Sequence, residues 1–308
     1  MSAENEKPDV DEVSGVETTG HEWDGIKELN NPLPKWWLYT FYATVIWAML
    51  FTVFYPAWPL LTENTKGVLG YTTRGELREA VAEAKSEQAV YLDRIEALDV
   101  RAVAADPELS RFARAGGAAA FKTNCSQCHG SAAQGFPGYP NLLDDAWIWG
   151  GSLEAIHQTI AYGIRQTGPD GYETDETRIG EMSAFGRDGL LEEQEIDQVV
   201  EYVLSISRQE HDAALAAQGS EIFLDNCSGC HGEDGAGIRE VGAPNLTDSI
   251  WLYGGSREVV KASIVNGRAG MMPAWEGRLD DATIKLLAVY VHSLGGGEES
   301  DDQQASAQ

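Results

Sequence analysis

The pattern of hydrophobic and polar positions divides the chain into one long apolar stretch, a polar helical stretch and a region of short amphipathic helices. The apolar stretch runs from Trp36 to Leu61, and no charged residue interrupts it between Lys35 and Glu63. About 20 apolar residues are enough for a helix to cross a hydrocarbon core of ~30 Å. The pattern therefore predicts a transmembrane anchor over residues 36–61.

Aromatic residues lie at both ends of this stretch, as they do where helices leave a membrane. They are Trp36, Trp37 and Tyr39 at the start and Tyr55 and Trp58 at the end. Pro56 and Pro59 are expected to end the helix. A buried helix of a soluble protein rarely has such a long uncharged stretch. A cleavable signal peptide starts earlier, is shorter and ends at a small-residue cleavage site. An anchor is the better interpretation.

A polar helix is expected next, because the stretch from Thr73 to Leu98 is rich in Ala, Glu, Arg and Lys and has no Pro. It belongs to a predicted helical linker, residues 62–107.

At the other end of the chain, glycines after Leu294 are followed by acidic and polar residues, so 297–308 is predicted to be a disordered tail.

Between linker and tail the chain repeats itself. The matching positions are Gly117 and Gly219, Phe121 and Phe223, Pro140-Asn141-Leu142 and Pro244-Asn245-Leu246, Trp147 to Ser152 and Trp251 to Ser256, and Met182 to Phe185 and Met272 to Trp275. The first copy carries about fourteen extra residues, 166–179, which we interpret as a loop insertion. The repeat predicts two homologous domains, 108–208 and 209–296.

Both domains are predicted to be helical, and no alternating strand pattern of useful length is found. Apolar residues recur at helical spacing near the end of each copy: Ile196, Val199, Val200, Val203 and Ile206 in the first, and Ile284, Leu287, Ala288, Val291 and Leu294 in the second. Gly and Ala residues before each Cys motif would let another helix approach closely. The fold class is therefore all-α, with one transmembrane helix before two tandem domains.

The chain is strongly acidic, with 22 Lys and Arg against 49 Asp and Glu and a formal net charge of −27 over 308 residues. Binding to duplex nucleic acid depends on neutralisation of phosphates by Lys and Arg, so nucleic acid is excluded as a partner. Such a surface attracts a basic partner. The same acidity also serves solubility alone.

The candidate chemistry lies in four cysteines, all of them in the repeated motifs "NCSQCHG" and "NCSGCHG". Cys125, Cys128 and His129 form the first C-x-x-C-H, and Cys227, Cys230 and His231 form the second. This is the attachment site of c-type haem, with two thiols for the vinyl groups and an imidazole for the iron. A thioredoxin-like pair expects a βαβ setting, and a four-cysteine zinc site leaves both histidines unexplained. Two covalently bound haem c groups are predicted.

A sixth iron ligand is expected from methionine, which raises the potential of electron-transfer haems. Of five methionines, Met1 starts the chain and Met49 lies in the apolar stretch, which leaves Met182 for the first domain and Met271 or Met272 for the second. The match of "MSAF" with "MPAW" selects Met272. Three other histidines are weaker candidates as ligands: His157, His211 and His292. With both axial positions filled, the chain is expected to carry electrons and to have no active site of its own.

Two further expectations follow from the motifs. Pro140 and Pro244 lie where a backbone carbonyl can accept a hydrogen bond from the proximal imidazole. Covalent haem c is attached outside the bacterial cytoplasm, so residues 1–35 are expected in the cytoplasm and the two domains in the periplasm, with the anchor in the inner membrane.

By these residues the chain resembles the CcoP/FixP family, the dihaem subunits of cbb(3)-type cytochrome c oxidases. The most specific match is the stretch from Trp23 to Pro59, with its Asn-Pro-Leu-Pro before the span. The resemblance implies class I cytochrome c domains, with Cys125, Cys128, His129 and Met182 at the first haem and Cys227, Cys230, His231 and Met272 at the second. Ser183 stands where the family usually has Pro.

The resemblance also implies partners. A donor cytochrome c, soluble or membrane-bound, would dock on the periplasmic side. Electrons would then pass to the monohaem subunit and to the catalytic haem–copper subunit, which reduces oxygen and pumps protons. Two alternatives remain open on the sequence: an anchored dihaem shuttle for another respiratory complex, and a dihaem peroxidase.

Overall fold

The computed structural model describes residues 9–168, 171–172 and 174–299, and the chain forms two compact units, Met1–Glu87 and Gln88–Gln308. Most of the predicted acidic tail, residues 300–308, lies outside the described residues. So do residues 1–8 of the N-terminal segment and residues 169–170 and 173 of the predicted insertion.

A β-hairpin precedes the anchor, in a segment for which no strand is predicted. Strands β1 (Thr18–Trp23) and β2 (Ile26–Leu29) are antiparallel. The two residues between them, Asp24 and Gly25, both have positive φ angles, 48° and 85°. An Asp-Gly pair in this conformation matches the right-handed twist of a hairpin, so the dipeptide is the signal that predicts this element.

Helix α1 (Lys35–Phe54) is the apolar helix, 20 residues long and suited by length and composition to cross a membrane. It ends before the predicted boundary at Leu61. Tyr55 is already extended, at φ −115° and ψ 159°, because the residue before a proline is disfavoured in the helical region. The hydroxyls of Thr40, Thr44 and Thr52 donate to carbonyls of the helix itself, at 2.7–2.9 Å, which satisfies them in an apolar setting.

The remaining elements are almost all helical. They are α2 (Thr73–Ala97), α3 (Val100–Ala105), α4 (Pro107–Asn124), α5 (Ser126–His129), α6 (Leu153–Tyr162), β3 (Thr167–Gly168), β4 (Gly171–Tyr172), α7 (Glu193–Ile206), α8 (Ala213–Asn226), α9 (Ser228–His231), a 3₁₀ helix (Arg239–Val241), α10 (Arg257–Asn266) and α11 (Asp281–His292). The predicted polar helix is confirmed as α2. The predicted insertion holds the two-residue strands β3 and β4.

The helices of the second unit pack into two bundles. Bundle 1 contains α3, α4, α6 and α11, and bundle 2 contains α7, α8 and α10. Each bundle is therefore built from both sequence repeats. The final helix of the second repeat, α11, packs on α4 of the first, and the final helix of the first repeat, α7, packs on α8 of the second. The two repeats exchange their C-terminal parts.

Close helix crossings hold each bundle together, as the glycines before the motifs predict. Gly117 of α4 lies against the Leu286 carbonyl of α11, and Gly219 of α8 lies against the Gln198 carbonyl of α7. A Cβ atom at either glycine would collide with that backbone. An aromatic pair lies beside each crossing, formed by a buried phenylalanine and a partly buried tyrosine. The ring centroids are 5.5 Å apart for Phe121–Tyr290 and 5.0 Å apart for Phe223–Tyr202.

Candidate functional site

The two C-x-x-C-H motifs form matching helical turns. Helix α4 ends at Asn124, and Cys125 connects it to the single turn α5, on which Cys128 and His129 lie. The Cys128 and His129 amides donate to the Cys125 carbonyl at 3.1 and 3.0 Å. The second motif repeats this geometry after α8, in α9. One turn of helix thus presents two thiols and one imidazole together.

Each motif histidine is oriented by a proline carbonyl, as expected. Nδ1 of His129 lies 3.1 Å from the Pro140 carbonyl, and Nδ1 of His231 lies 3.1 Å from the Pro244 carbonyl. A carbonyl only accepts, so Nδ1 carries the proton and the Nε2 lone pair remains for a metal. Burial lowers the pKa of both histidines, against the opposing effect of these hydrogen bonds. Both imidazoles are therefore neutral at physiological pH, as a ligand must be.

The first thiol of each motif is partly buried, whereas the second is exposed. Burial raises the pKa of Cys125 to about 11, with a smaller contribution from Cys128. The pKa of Cys227 is likewise raised to about 11, by burial and then by Cys230. Among the described residues, which include all four cysteines, no three His, Cys, Asp or Glu side chains gather as a metal site. The two cysteine pairs do not form the four-cysteine zinc site considered from the sequence.

The pairing of methionines with motifs corrects the sequence interpretation. Cys125 and Met272 pack against the core of bundle 1, whereas Cys227 and Met182 pack against the core of bundle 2. The order of the motifs along the chain predicts Met182 for the first motif and Met272 for the second. The structure brings together the opposite pairs.

The physical reason is a reciprocal crossing of the two repeats. The amide of Ile164 donates to the Met272 carbonyl at 2.9 Å and the Met272 amide donates back at 3.0 Å, while Met182 and Arg268 exchange two hydrogen bonds of 2.9 and 3.1 Å. Ile164 and Arg268 occupy equivalent positions in the two repeats, as do Met182 and Met272. Because the repeats are alike, exchange preserves the same local contacts, as in domain swapping.

The three histidines considered as alternative ligands, His157, His211 and His292, make their contacts away from the motifs. His157 lies where α6 meets α11, with Nε2 3.7 Å from Oδ1 of Asp281. Nε2 of His292 lies 2.9 Å from the Glu298 carbonyl, and Nδ1 of His211 lies 2.9 Å from the Gln209 carbonyl. None of these contacts brings a further imidazole to a Cys motif.

The loops that orient the two motif histidines border one cleft of about 890 Å³. Pro140 and Trp147 line it from the first repeat, and Pro244 and Trp251 line it from the second. The Gly138 amide donates to the Leu252 carbonyl at 2.7 Å and joins the loops directly. The loops that contact the two motif histidines are thus adjacent.

Two arginines near the methionine segments were not identified from the sequence. Arg178 lies over the Trp149 ring, with Cζ 5.3 Å from the centroid, and Arg268 lies over the Tyr253 ring at 3.9 Å. Trp149 and Tyr253 are equivalent positions of the repeat. The arginines are not, since Ile164 is the sequence equivalent of Arg268. That mismatch is why the repeat gave no signal for them.

Comparison with known families covers all three regions of the chain. Residues 15–62 match the N-terminal domain of cytochrome oxidase-cbb3, FixP; residues 115–207 match cytochrome c; and residues 214–291 match cytochrome c oxidase, cbb3-type, subunit III. The "Cbb3-type cytochrome c oxidase subunit CcoP" of Cereibacter sphaeroides is 53% identical over 95% of this chain and 99% of its own length. The chain belongs to the CcoP/FixP family.

Other relatives agree in name and extent. The FixP subunit of Rhizobium meliloti is 53% identical over 94% of this chain and 98% of its own length, and the CcoP subunit of an Azospirillum species has the same values. The predicted resemblance and fold class are confirmed. As a family member with cytochrome c domains and the apolar helix α1, the chain is a membrane-anchored c-type cytochrome that serves as an electron-transfer subunit of an oxidoreductase complex.

Proposed function

We propose that this chain holds two haem c groups and passes electrons from a donor cytochrome c to the other subunits of a cbb3-type oxidase. The observation that carries the proposal is the duplicated site. Each motif presents two thiols and a neutral imidazole with its Nδ1 proton held by a proline carbonyl, in a bundle that also contains a methionine. This donor set fits covalent haem c with histidine and methionine as axial ligands.

The residues divide into two sets. Cys125 and Cys128 would attach the first haem, with His129 and Met272 as iron ligands. Cys227 and Cys230 would attach the second, with His231 and Met182 as iron ligands. Haem c, when bound, supplies reversible one-electron exchange at iron. The protein's part would be to fix the two imidazoles through the proline carbonyls and to offer a methionine sulfur to each iron, which would leave no position for a substrate.

The direction across the membrane follows from the attachment chemistry. Residues 1–35 would lie in the cytoplasm, and the two bundles in the periplasm, where a donor cytochrome c has access. The formal net charge of −27 favours a basic donor, because complementary charge accelerates encounter. The expected acceptors are the monohaem subunit and the catalytic haem–copper subunit.

Purification of the complex from membranes tests the proposal. The chain should carry covalent haem stain at its own position on a denaturing gel and should co-purify with the catalytic subunit. Its mass should exceed that of the polypeptide by two haem groups. The ferrous protein should bind little carbon monoxide at these haems. Absence of covalent haem, or co-purification only with an unrelated dehydrogenase or reductase, would contradict it.

A further inference from the structure

Arg178 and Arg268 have nearly the same surroundings although they come from different positions in the two repeats. Nε of Arg178 donates to the Thr159 hydroxyl at 2.9 Å, and Nε of Arg268 donates to the Ser263 hydroxyl at 3.0 Å. Thr159 and Ser263 are equivalent residues of α6 and α10. Each hydroxyl donates to the carbonyl four residues earlier, at 2.8 and 2.9 Å, so it must accept from the arginine.

The insertion supplies the arginine that the first repeat lacks. The position equivalent to Arg268 is Ile164, which has no charge. Arg178 forms a β-bridge with Ile164, and its amide donates to the Gly163 carbonyl at 3.3 Å. The end of the insertion therefore returns to the place where the second repeat has Arg268, and it restores a guanidinium there.

Neither guanidinium has an anionic partner among the described residues. The other acceptors of Arg178 are neutral: the Ala155 carbonyl at 3.3 Å and the Gln158 amide oxygen at 3.2 Å. Arg178 is half-buried, and that burial lowers its pKa. A desolvated cation without a counter-charge is costly in a protein interior. Two guanidinium groups at matching places, each held by an equivalent hydroxyl and neither paired with a carboxylate among the described residues, indicate that an anion belongs at each.

Both arginines adjoin the methionine segments. Arg268 shares two backbone hydrogen bonds with Met182, and Arg178 pairs with Ile164, which in turn pairs with Met272. A c-type haem carries propionate carboxylates, and one of these would supply the anion when the haem is bound. Arginine is suited to it because a guanidinium can hold a carboxylate with two parallel hydrogen bonds.

We propose that Arg178 and Arg268 are the propionate partners of the first and second haem, respectively, and that the insertion exists in part to provide Arg178. This inference rests on the proposed function. A positive charge beside a haem disfavours the ferric state, so each arginine should raise the midpoint potential of its own haem.

The test is a spectroelectrochemical titration of full-length, haem-loaded protein in detergent. Arg178→Met should lower the potential of one haem, and Arg268→Met should lower that of the other. Arg178→Lys, which keeps the charge, should leave most of the wild-type potential. The matched control is Arg187→Met, since Arg187 is 66% exposed and pairs only with its neighbour Asp188 among the described residues. It should shift neither potential.

A second variant covers the case in which Arg178→Met does not accumulate. Thr159→Val removes the hydroxyl that holds Nε of Arg178, and it should shift the same potential in the same direction by a smaller amount. A purely structural role would change thermal stability and leave both potentials at the control values, which overturns the inference. A shift seen only in the assembled oxidase would assign the anion to a partner subunit and also overturns it. Loss of covalent haem from the wild type would instead refute the proposed function.

Discussion

Met272 of the second repeat is bonded to Ile164 of the first by a reciprocal pair of backbone hydrogen bonds, 2.9 and 3.0 Å long. The segment that follows Met272 leads into α11, which packs on α4. Residues on opposite sides of the boundary at 208/209 therefore share one core. A chain cut into its two repeats would separate each motif from the methionine in its bundle.

Single-haem variants test this exchange. With Cys227 and Cys230 replaced by Ala, only the first haem remains, and Met272→Ala should then open its iron. Carbon monoxide should bind the ferrous form, because the sulfur ligand is gone. Met182→Ala in the same background should leave carbon monoxide binding low.

The mirror experiment is the control. With Cys125 and Cys128 replaced by Ala, the effects of the two methionine variants should be reversed. If Met182→Ala opens the first haem instead, each motif is paired with the methionine of its own repeat, as expected from the sequence. That result would refute the exchange. Visible spectra of ligand binding report either result.

Gly117→Ala should destabilise bundle 1. The new Cβ would collide with the backbone carbonyl of Leu286, which cannot move without shifting α11. Overpacking of this kind costs about 1–3 kcal/mol. Thermal unfolding followed by far-ultraviolet circular dichroism should show a lower midpoint.

The neighbouring glycine provides a matched comparison. A Cβ at Gly116 would lie 3.0 Å from the Cδ1 methyl of the Leu286 side chain, which can rotate away. Alanine is also favoured over glycine in a helix by roughly 1 kcal/mol. Gly116→Ala should therefore be neutral or stabilising. Equal losses for the two variants would show that the crossing is not the cause.

Asp106 should make stability depend on pH in the acid range. Its Oδ1 accepts from the amides of Leu109 and Glu108 at 3.1 and 2.8 Å at the start of α4. Those two hydrogen bonds lower the pKa of the carboxyl from its usual 3.8, and the charge of Arg94 lowers it further by a smaller amount. The stabilisation is present above pH 3.8 and is lost as pH falls through the lower, folded-state pKa.

Asp106→Asn separates charge from capping. Asn still accepts the amide hydrogen bonds but loses the ion pair with Arg94, so at pH 7 the variant should be less stable than the wild type and more stable than Asp106→Ala. The thermal stability of Asp106→Asn should fall less than that of the wild type between pH 4 and pH 2, because it has no carboxylate at this position to protonate. Asp106→Ala should be less stable at every pH above that range. Thermal midpoints of the three proteins across pH 2–7 measure the differences, and parallel pH profiles for wild type and Asp106→Asn would contradict the assignment.

Reduction by a basic donor cytochrome c should slow as salt is added. The Debye length falls from ~10 Å at 0.1 M to ~3 Å at 1 M, so attraction by the acidic surface is screened. Stopped-flow second-order rate constants should drop steeply over this range. An acidic donor is the control and should show the opposite trend or none. If the rate constants do not depend on salt for either donor, electrostatic attraction does not guide the encounter with the donor.

The local elements could be read from the sequence because their causes are local. The uncharged stretch predicts α1, and Pro56 indicates where this helix should end. Only the structure shows that Tyr55, the residue before Pro56, is already outside the helix. The Asp24-Gly25 turn also carried enough information for a hairpin. The C-x-x-C-H turns and the role of Pro140 and Pro244 followed from covalent spacing and hydrogen-bond chemistry.

What the sequence by itself determined is the chemistry: two thiols and an imidazole on each of two helical turns, two methionines, an apolar helix and a repeated set of amphipathic helices. Tertiary structure decided how these parts combine. Because the two repeats are similar, the C-terminal part of each can make the same contacts with its own repeat or with the other one. Only long-range packing could therefore pair Met272 with Cys125 and Met182 with Cys227. The same packing brought Arg178 to the side of Thr159, where the repeat alone would have placed an isoleucine.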